Sequence, residues 1–201
     1  MYTPKHFLES DADALAAFID EHAFGTLVTV AGGRPFATHI PFLYERGLQT
    51  LHAHVARANP QWTHVAAAPE VLVMFQGPHG YVSPTWYAEA GVPTWNYTAV
   101  HVYGAARVVD DVEAKERHVK QLAARYESGS AKPWLPDFDP KRLQGIVGID
   151  IRIGEVQGKL KLSQNRSAAD RAGVIAALDA RGTDNDTALA RLVEAAGRKV
   201  S

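Results

Sequence analysis

The sequence predicts a mainly β protein, a closed or split barrel of antiparallel strands with helices at its margins. Three observations carry this. The middle of the chain holds six or more short runs rich in β-branched and aromatic residues, with turn residues between them. Several of these runs alternate apolar and polar residues at a period of two, the mark of a strand with one buried face. Closing such a set of strands on itself removes most of the exposed sheet edges that would otherwise invite aggregation.

The elements follow in order. Ser10 is the expected N-cap of a first helix, with Asp13 three residues on, and Leu15, Phe18 and Ile19 keep helical spacing until about Gly25. Thr26 to Val30, Phe36 to Tyr44 and Leu48 to Val55 are expected strands of an antiparallel meander, separated by Gly32-Gly33 and Arg46-Gly47. Pro41 places an edge, bulge or break in the second of them. Asn59 as N-cap and Pro60 at the first helical position predict a short helix to about Ala68. Val71 to Gln76 is expected as a strand buried on both faces, turned by Gly77-Pro78-His79-Gly80. Thr98 to Val109 is a long strand with Val100, Val102 and Val108 on one face and His101, Tyr103 and Arg107 on the other. Asp110 or Asp111 caps a helix over 112–126, and three prolines mark 128–140 as a loop. Ile146 to Leu162 reads as a hairpin or bulged strand interrupted by Gly154 and Gly158. Ser167 and Asp184 or Asn185 open two final helices, with Gly182 between them.

Length and composition bound the function. The chain has 201 residues, 46% of them hydrophobic, which suits one domain over 1–201 with 166–201 as a C-terminal helical extension. Its formal net charge of -1 gives neither a basic footprint for nucleic acid nor a polybasic patch for a membrane. It has no cysteine, which removes disulfides, thiolate metal sites and cysteine nucleophiles. No cationic region followed by an apolar run opens the chain, and no apolar stretch approaches the roughly 20 residues that span a bilayer. A cytoplasmic protein without membrane partners is expected.

Three segments carry candidate chemistry. In the first, His52 to Trp62, a strand delivers Arg57 to a capped helix start, where free N–H groups and a planar guanidinium suit a phosphate. Arg57 as a solvated strand-end charge fits the same spacing. His52 and His54 share one strand face, opposite Leu51, Ala53 and Val55, and with His39 or His101 they offer either imidazole ligands or ordinary polar packing. The second segment, Tyr81 to Tyr97, gathers two tryptophans, three tyrosines and two prolines into about one loop's length. Such side chains suit a planar ring, a subunit interface or barrel-end packing. In the third, Lys159, Lys161 and Ser163 share one face of the last strand's end, a polar cluster or a solvated terminus. No dinucleotide fingerprint, P-loop or nucleophile elbow is present, and no set of residues demands a catalytic role.

Taken with Tyr2-Thr3-Pro4-Lys5-His6-Phe7, the motifs His54-Val55-Ala56-Arg57-Ala58-Asn59-Pro60-Gln61-Trp62, Ser83-Pro84-Thr85-Trp86-Tyr87, Val92-Pro93-Thr94-Trp95-Asn96-Tyr97 and Lys161-Leu162-Ser163-Gln164-Asn165-Arg166 resemble the PaiB family of FMN-binding negative transcriptional regulators. The resemblance runs from Met1 to about Leu178. It implies an FMN-binding split barrel, generally a homodimer with flavin in the cleft between subunits. It further implies that Arg57, Ala58 and Asn59 match the stretch that holds the flavin phosphate, with His54 and Trp62 of the same motif also expected to bind the cofactor. Trp95, Asn96 and Tyr97 match the family's loop motif, and Lys161, Ser163, Gln164 and Asn165 its C-terminal motif.

The fold alone does not fix the function. Beside an FMN-binding regulator stand a flavin-dependent oxidoreductase on the same barrel and a haem- or metal-handling protein using His39, His52 and His54. Direct DNA binding is not expected, because DNA affinity rests largely on phosphate neutralisation and the chain shows no reading helix.

Overall fold

The computed structural model describes residues 1–137 and 139–200; Phe138, within the expected loop, and Ser201, at the end of the expected helical extension, lie outside the described residues. Among the described residues the elements run β1 (Leu8–Glu9), α1 (Ala12–Glu21), β2 (Phe24–Ala31), β3 (Arg34–Pro41), β4 (Leu43–Glu45), β5 (Thr50–Ala56), α2 (Gln61–Ala67), β6 (Glu70–Val82), β7 (Thr94–Val109), α3 (Val112–Glu127), β8 (Ile146–Lys161), α4 (Ala168–Arg181) and α5 (Asp184–Val200). The eight strands form one sheet in the order β3-β2-β6-β7-β8-β5-β4, with β1 on β8. The expected mainly antiparallel β architecture with marginal helices is therefore present.

Several local expectations are corrected, each by a partner that the local sequence does not name. Asp11, not Ser10, caps α1: Ala14 N–H donates to Asp11 Oδ1 at 2.7 Å. The strands of 24–56 are not a simple meander. β2 pairs with β3 and β4 with β5, but the second neighbour of β2 is β6 and that of β5 is β8. Gly77-Pro78-His79-Gly80 does not turn the chain, because β6 runs through it. Asn185 of α5 satisfies the His79 backbone there, its Oδ1 accepting from His79 N–H and its Nδ2 donating to His79 O at 2.6 Å. β6 is buried on one face only: Val71, Val73 and Phe75 are buried and Gln76 is exposed. β8 is one uninterrupted strand. Gly158 marks a close approach rather than a bend, since a Cβ there would meet Glu9 O at 2.9 Å and the Leu15 side chain.

Other expectations hold. Gly32 and Gly33 both take positive φ, 57° and 77°, and close the β2–β3 hairpin as a turn of that handedness requires. Pro41 ends β3, an edge strand, where its missing N–H breaks no ladder. Asp111 caps α3 and Ser167 caps α4, which ends on Gly182 in the left-handed region.

The chain divides into two compact units, Met1–Phe18 with Gln76–Val100 and Gln157–Ser201, and Ile19–Phe75 with His101–Val156. In the first, Val82 and Leu162 pack with Val174 and Leu178 of α4 and Leu189, Ala190 and Val193 of α5. In the second, the inward residues of the strands, among them Leu27, Leu51, Val73, Phe75, Val102, Ile149 and Ile151, are fully buried. Phe42 meets Phe75 edge-on, their ring centroids 5.5 Å apart. Each such side chain contributes about 1.5–3 kcal/mol relative to exposure.

Gly173 of α4 lies against the backbone of Trp86, and a Cβ there would collide with Trp86 O. A carbonyl cannot swing aside as a side-chain tip can. The overpacking cost of about 1–3 kcal/mol therefore outweighs the helix-propensity gain of up to about 1 kcal/mol from replacing glycine with alanine. Gly173→Ala is expected to lower the denaturation midpoint, whereas Gly129→Ala, with nothing within 4 Å of its new methyl, leaves it nearly unchanged. Parallel urea titrations check this, and an unshifted Gly173→Ala would refute the close packing.

Candidate functional site

The end of β5 and the turn after it form the first cluster. Arg57 N–H donates to Gly145 O at 2.8 Å, which fixes the strand end against the segment before β8. Its guanidinium is not a loose surface charge. Nε donates to Gln144 O at 2.6 Å, and Nη2 bonds Ile146 O and the Asp110 carboxylate. Lys115 of α3, with a side chain only 2% exposed, donates to the same Asp110 oxygen at 2.7 Å. The bond from Arg57, then that from Lys115, holds the Asp110 carboxyl at a pKa of about 2, well below the usual carboxylate range. Two cations therefore share one carboxylate, and the group carries an excess of one positive charge.

The rest of that turn is also fixed. Trp62 Nε1 donates to Arg57 O at 3.0 Å. Asn59 Oδ1 accepts from Gln61 N–H at 2.9 Å and its Nδ2 donates to Thr38 Oγ1 at 3.0 Å. Ala58 is exposed at the tip. The expected helix start is displaced by one residue, with Pro60 in the N-cap position and α2 only seven residues long. Asn59 still engages the first N–H of that helix, so the end of α2 is not an open row of donors. What the turn offers an anion is the guanidinium and the exposed backbone, not a helix terminus.

The outward face of β5 forms a second cluster. His52 lies opposite Asp150 in the β5–β8 register, and its Nδ1 meets Asp150 Oδ1 at 2.7 Å. Its Nε2 meets Glu45 at 3.1 Å. The bond to Asp150, the largest effect, raises the His52 pKa above its ordinary value. Asp150 itself is pushed up by burial, but the His52 bond and Arg107, which pairs with its other oxygen, outweigh that and leave it lowered. His54 behaves in the opposite way. Burial lowers its pKa, and its Nδ1 lies 3.1 Å from Nε2 of His118 on α3. His118 is 9% exposed, and burial, then His54 and His52, lowers its pKa to about 4. His39, the third expected imidazole ligand, instead stacks on Phe24 at 6.5 Å. Among the described residues no group of three or more histidine, aspartate or glutamate side chains is placed to hold a metal ion.

The remaining expected residues gather in the first compact unit. Trp95, Asn96 and Tyr97 lie on β7 rather than in a loop. Asn96 Nδ2 donates to Ser163 Oγ at 2.9 Å, both buried, and Ser163 takes a positive φ of 62°. Lys161 Nζ donates to Trp95 O at 2.7 Å and to Thr94 Oγ1. Gln164 folds back on its own chain, accepting from Leu162 N–H and donating to Leu160 O. Asn165 is exposed. Trp95 is 54% exposed and stacks with His79, their centroids 6.4 Å apart. Lys159 lies over the Tyr97 ring at 5.2 Å. The amides and Ser163 thus join β7 to the end of β8, and Trp95 and Tyr97 supply flat aromatic surface.

The sequence reading missed Asp110, Lys115, His118 and Asp150. Asp110 carried only the signal of a helix cap. Lys115 and His118 are three apart on a helix, one turn of the same face, and both are buried there. A cation and an imidazole on the buried stripe of an otherwise amphipathic helix were the available signal.

Comparison with known proteins agrees with this architecture. Solved structures with the same fold include the flavocytochrome Anf3 from Azotobacter vinelandii, at a TM-score of 0.65 and 15% identity over 79% of this chain and 72% of that one. The FAD and heme binding protein from Mycobacterium smegmatis superposes at a TM-score of 0.61 and 19% identity, covering 77% of this chain and 73% of that one. The fold is the split barrel of flavin-binding proteins, mainly antiparallel β with peripheral helices. Residues 1–155 match the family model described as "Putative FMN-binding domain", and the chain belongs to that family. It is 41% identical to the Bacillus subtilis protein named Protease synthase and sporulation protein PAI 2, over 96% of this chain and 97% of that protein. The resemblance to PaiB-type proteins is thereby established. Lys161 to Asn165 lie beyond the matched family segment, though within the span of a chain 96% covered by that relative.

His118 gives this site a pH signature. An imidazole whose folded-state pKa lies below its unfolded value makes folding weaker wherever the unfolded chain binds the extra proton. Its contribution to stability is full above about 6.5 and is lost as the pH falls towards about 4. His118→Gln is expected to flatten the loss of stability across that window. Urea unfolding at stepped pH measures the slope, and equal slopes in both proteins would rule out a neutral buried His118.

Proposed function

We propose that this protein binds FMN as a PaiB-type homodimer, with Arg57, Ala58 and Asn59 at the flavin phosphate. The observation that carries the reading is the charge arrangement at the end of β5. Arg57 and Lys115 share the single carboxylate of Asp110, and the Arg57 side chain remains 39% exposed beside an exposed turn. This donor set fits an anionic phosphate: the guanidinium is oriented in advance by two carbonyls, and the cluster keeps net positive charge for a ligand. Trp62 holds the Arg57 carbonyl from behind, so the turn is shaped before any ligand arrives. Bound FMN would supply an isoalloxazine able to accept or donate one or two electrons.

In the other compact unit, Trp95 and Tyr97 present aromatic surface of the kind that takes a planar ring. Lys161 is held by Trp95 O, and burial, then Lys159 and Arg166, lowers its pKa. Asn96, Ser163 and Gln164 act by fixing the backbone on which Trp95 and Tyr97 stand, and Asn165 is left exposed. His54 serves the β5–α3 packing that supports the Arg57 turn.

The homodimer rests on the sheet. The outward face of β2, β3 and the first half of β6 carries Phe24, Val28, Val30, Ala37, Leu72 and Met74, with the polar Thr26 and His39 paired among them. Phe24 and Val30 are more than half exposed, and an apolar sheet face of this kind marks an interface. A second copy brings its identical face. With a net charge of -1 the chain lacks a phosphate-neutralising surface, so any negative regulation of transcription acts without direct DNA contact.

The cradle is tested by comparing FMN with riboflavin, which lacks the phosphate. Arg57→Ala is expected to weaken FMN roughly ten- to hundred-fold, the value of a charge-assisted bond, and riboflavin far less. Arg57→Lys, which keeps the charge and loses the planar fork, falls between. Equal losses for both flavins would make Arg57 a support of the turn alone. Sedimentation at micromolar concentration is expected to show a dimer; a monomer with FMN present would sink that part of the reading.

A further inference from the structure

Gln61, the first residue of α2, is fully buried, a rare place for a primary amide. Its Nε2 donates to Leu27 O at 3.0 Å and to Thr29 Oγ1 and Phe36 O, each at 3.2 Å. The amide faces one way only, because reversing it would set Oε1 against two carbonyl oxygens, which accept and cannot donate. Oε1 is thereby left buried without a hydrogen bond. An unpaired buried acceptor is destabilising, so packing alone would be served better by an aliphatic side chain. What the amide adds is a fixed tie from the start of a helix to two strands.

That tie falls on neighbouring cross-strand pairs of one ladder. Leu27 pairs with Thr38, and Thr29 with Phe36, across β2 and β3. Gln61 bonds three of these four residues, and Asn59 Nδ2 bonds the fourth, Thr38. Asn59 and Gln61 are joined in turn by the bond from Gln61 N–H to Asn59 Oδ1. One helical turn on, His64 Nδ1 meets the Thr29 hydroxyl at 3.2 Å. The segment from Arg57 to Gln61 is therefore registered on the β2–β3 hairpin, all within the second compact unit. Most of its N–H groups are spent: Arg57 donates to Gly145 O, Asn59 to Ala56 O and Gln61 to Asn59, and Pro60 has none. Ala58, exposed at the tip, holds an N–H that no acceptor takes among the described residues.

We propose that Gln61 is the positioning residue of the phosphate turn, locking the backbone so that the Ala58 N–H and the Arg57 guanidinium act together on a phosphate; this rests on the phosphate reading of that turn. Gln61 touches no ligand itself. A donor already fixed in place gives up less freedom on binding than one on a mobile turn. The guanidinium has its own anchors in Gln144 O, Ile146 O and Asp110, so what depends on Gln61 is the backbone donor. The gain is confined to the phosphate end of a ligand. It therefore appears as selectivity for FMN over riboflavin, which a residue serving only the stability of the fold would not alter.

FMN and riboflavin are titrated into the full chain and two variants. Gln61→Met keeps much of the side-chain shape and removes the amide; it should weaken FMN about three- to tenfold, the order of one neutral hydrogen bond, and riboflavin less than about twofold. Thr29→Val leaves the glutamine in place and removes one of its acceptors, so the selectivity should fall in the same direction by less. If Gln61→Met shows no cooperative urea transition, Thr29→Val decides alone. In the unaltered chain the Ala58 amide ¹H–¹⁵N resonance should move on saturation with FMN and stay in place with riboflavin. An Ala58 resonance that ignores FMN would overturn the proposal. So would variants that weaken both flavins equally or neither, provided Arg57→Ala erodes the preference for FMN; the phosphate reading then stands without a role for Gln61. If Arg57→Ala spares that preference, the phosphate reading itself fails and this inference goes with it.

Discussion

The pairing register of β5 on β8 is the constraint on which both the core and the polar face depend. Side chains alternate along a strand with a period of two, so a slip of one residue would exchange the faces completely. In the observed register Leu51, Ala53 and Val55 point inward and are nearly or fully buried, opposite Ile151, Ile149 and Val147. The same register places His52 opposite Asp150 and leaves His54 to meet His118. One geometric choice thus fills the core and assembles the outer cluster. The apolar side enforces it: moving three buried aliphatic side chains into water would cost several kcal/mol, more than any one of the polar contacts contributes.

The two histidines of that strand illustrate how environment separates chemically identical groups. His52 and His54 are neighbours on one face, yet their proton affinities diverge. His52 sits between two carboxylates, which stabilise its cation. His54 meets the buried imidazole of His118, and desolvation lowers the pKa of both. The strand therefore presents a charge-bearing end towards Glu45 and a neutral end towards the Arg57 turn. The positive excess around Asp110 is not augmented by an imidazolium alongside it.

Periodicity and turn chemistry made much of this legible from sequence. The two faces of β5, the long alternation of β7, the glycine hairpin at 32–33 and the caps at Asp111 and Ser167 are local properties, and local rules found them. The failures share one cause. Gly77-Pro78-His79-Gly80 is a turn by every local criterion, but Asn185, over a hundred residues away, satisfies the His79 backbone and keeps it extended. Gly158 reads as an interruption, though its role is to let β1 and α1 approach. At the site, Arg57 was visible as an anion-directed cation. The carboxylate that orients it lies 53 residues on, and the partners of His52 and His54 lie 98 and 64 residues on. A single sequence carries no trace of such pairings until the strand order is known.

The chain passes between its two compact units at 18/19, 75/76, 100/101 and 156/157. The last three passages fall within or at the edge of long strands, β6, β7 and β8, rather than in flexible linkers. Neither unit is therefore a contiguous stretch of the gene. A library of contiguous fragments would recover neither one whole. A substitution anywhere along β6, β7 or β8 therefore falls on a strand that contributes residues to both units.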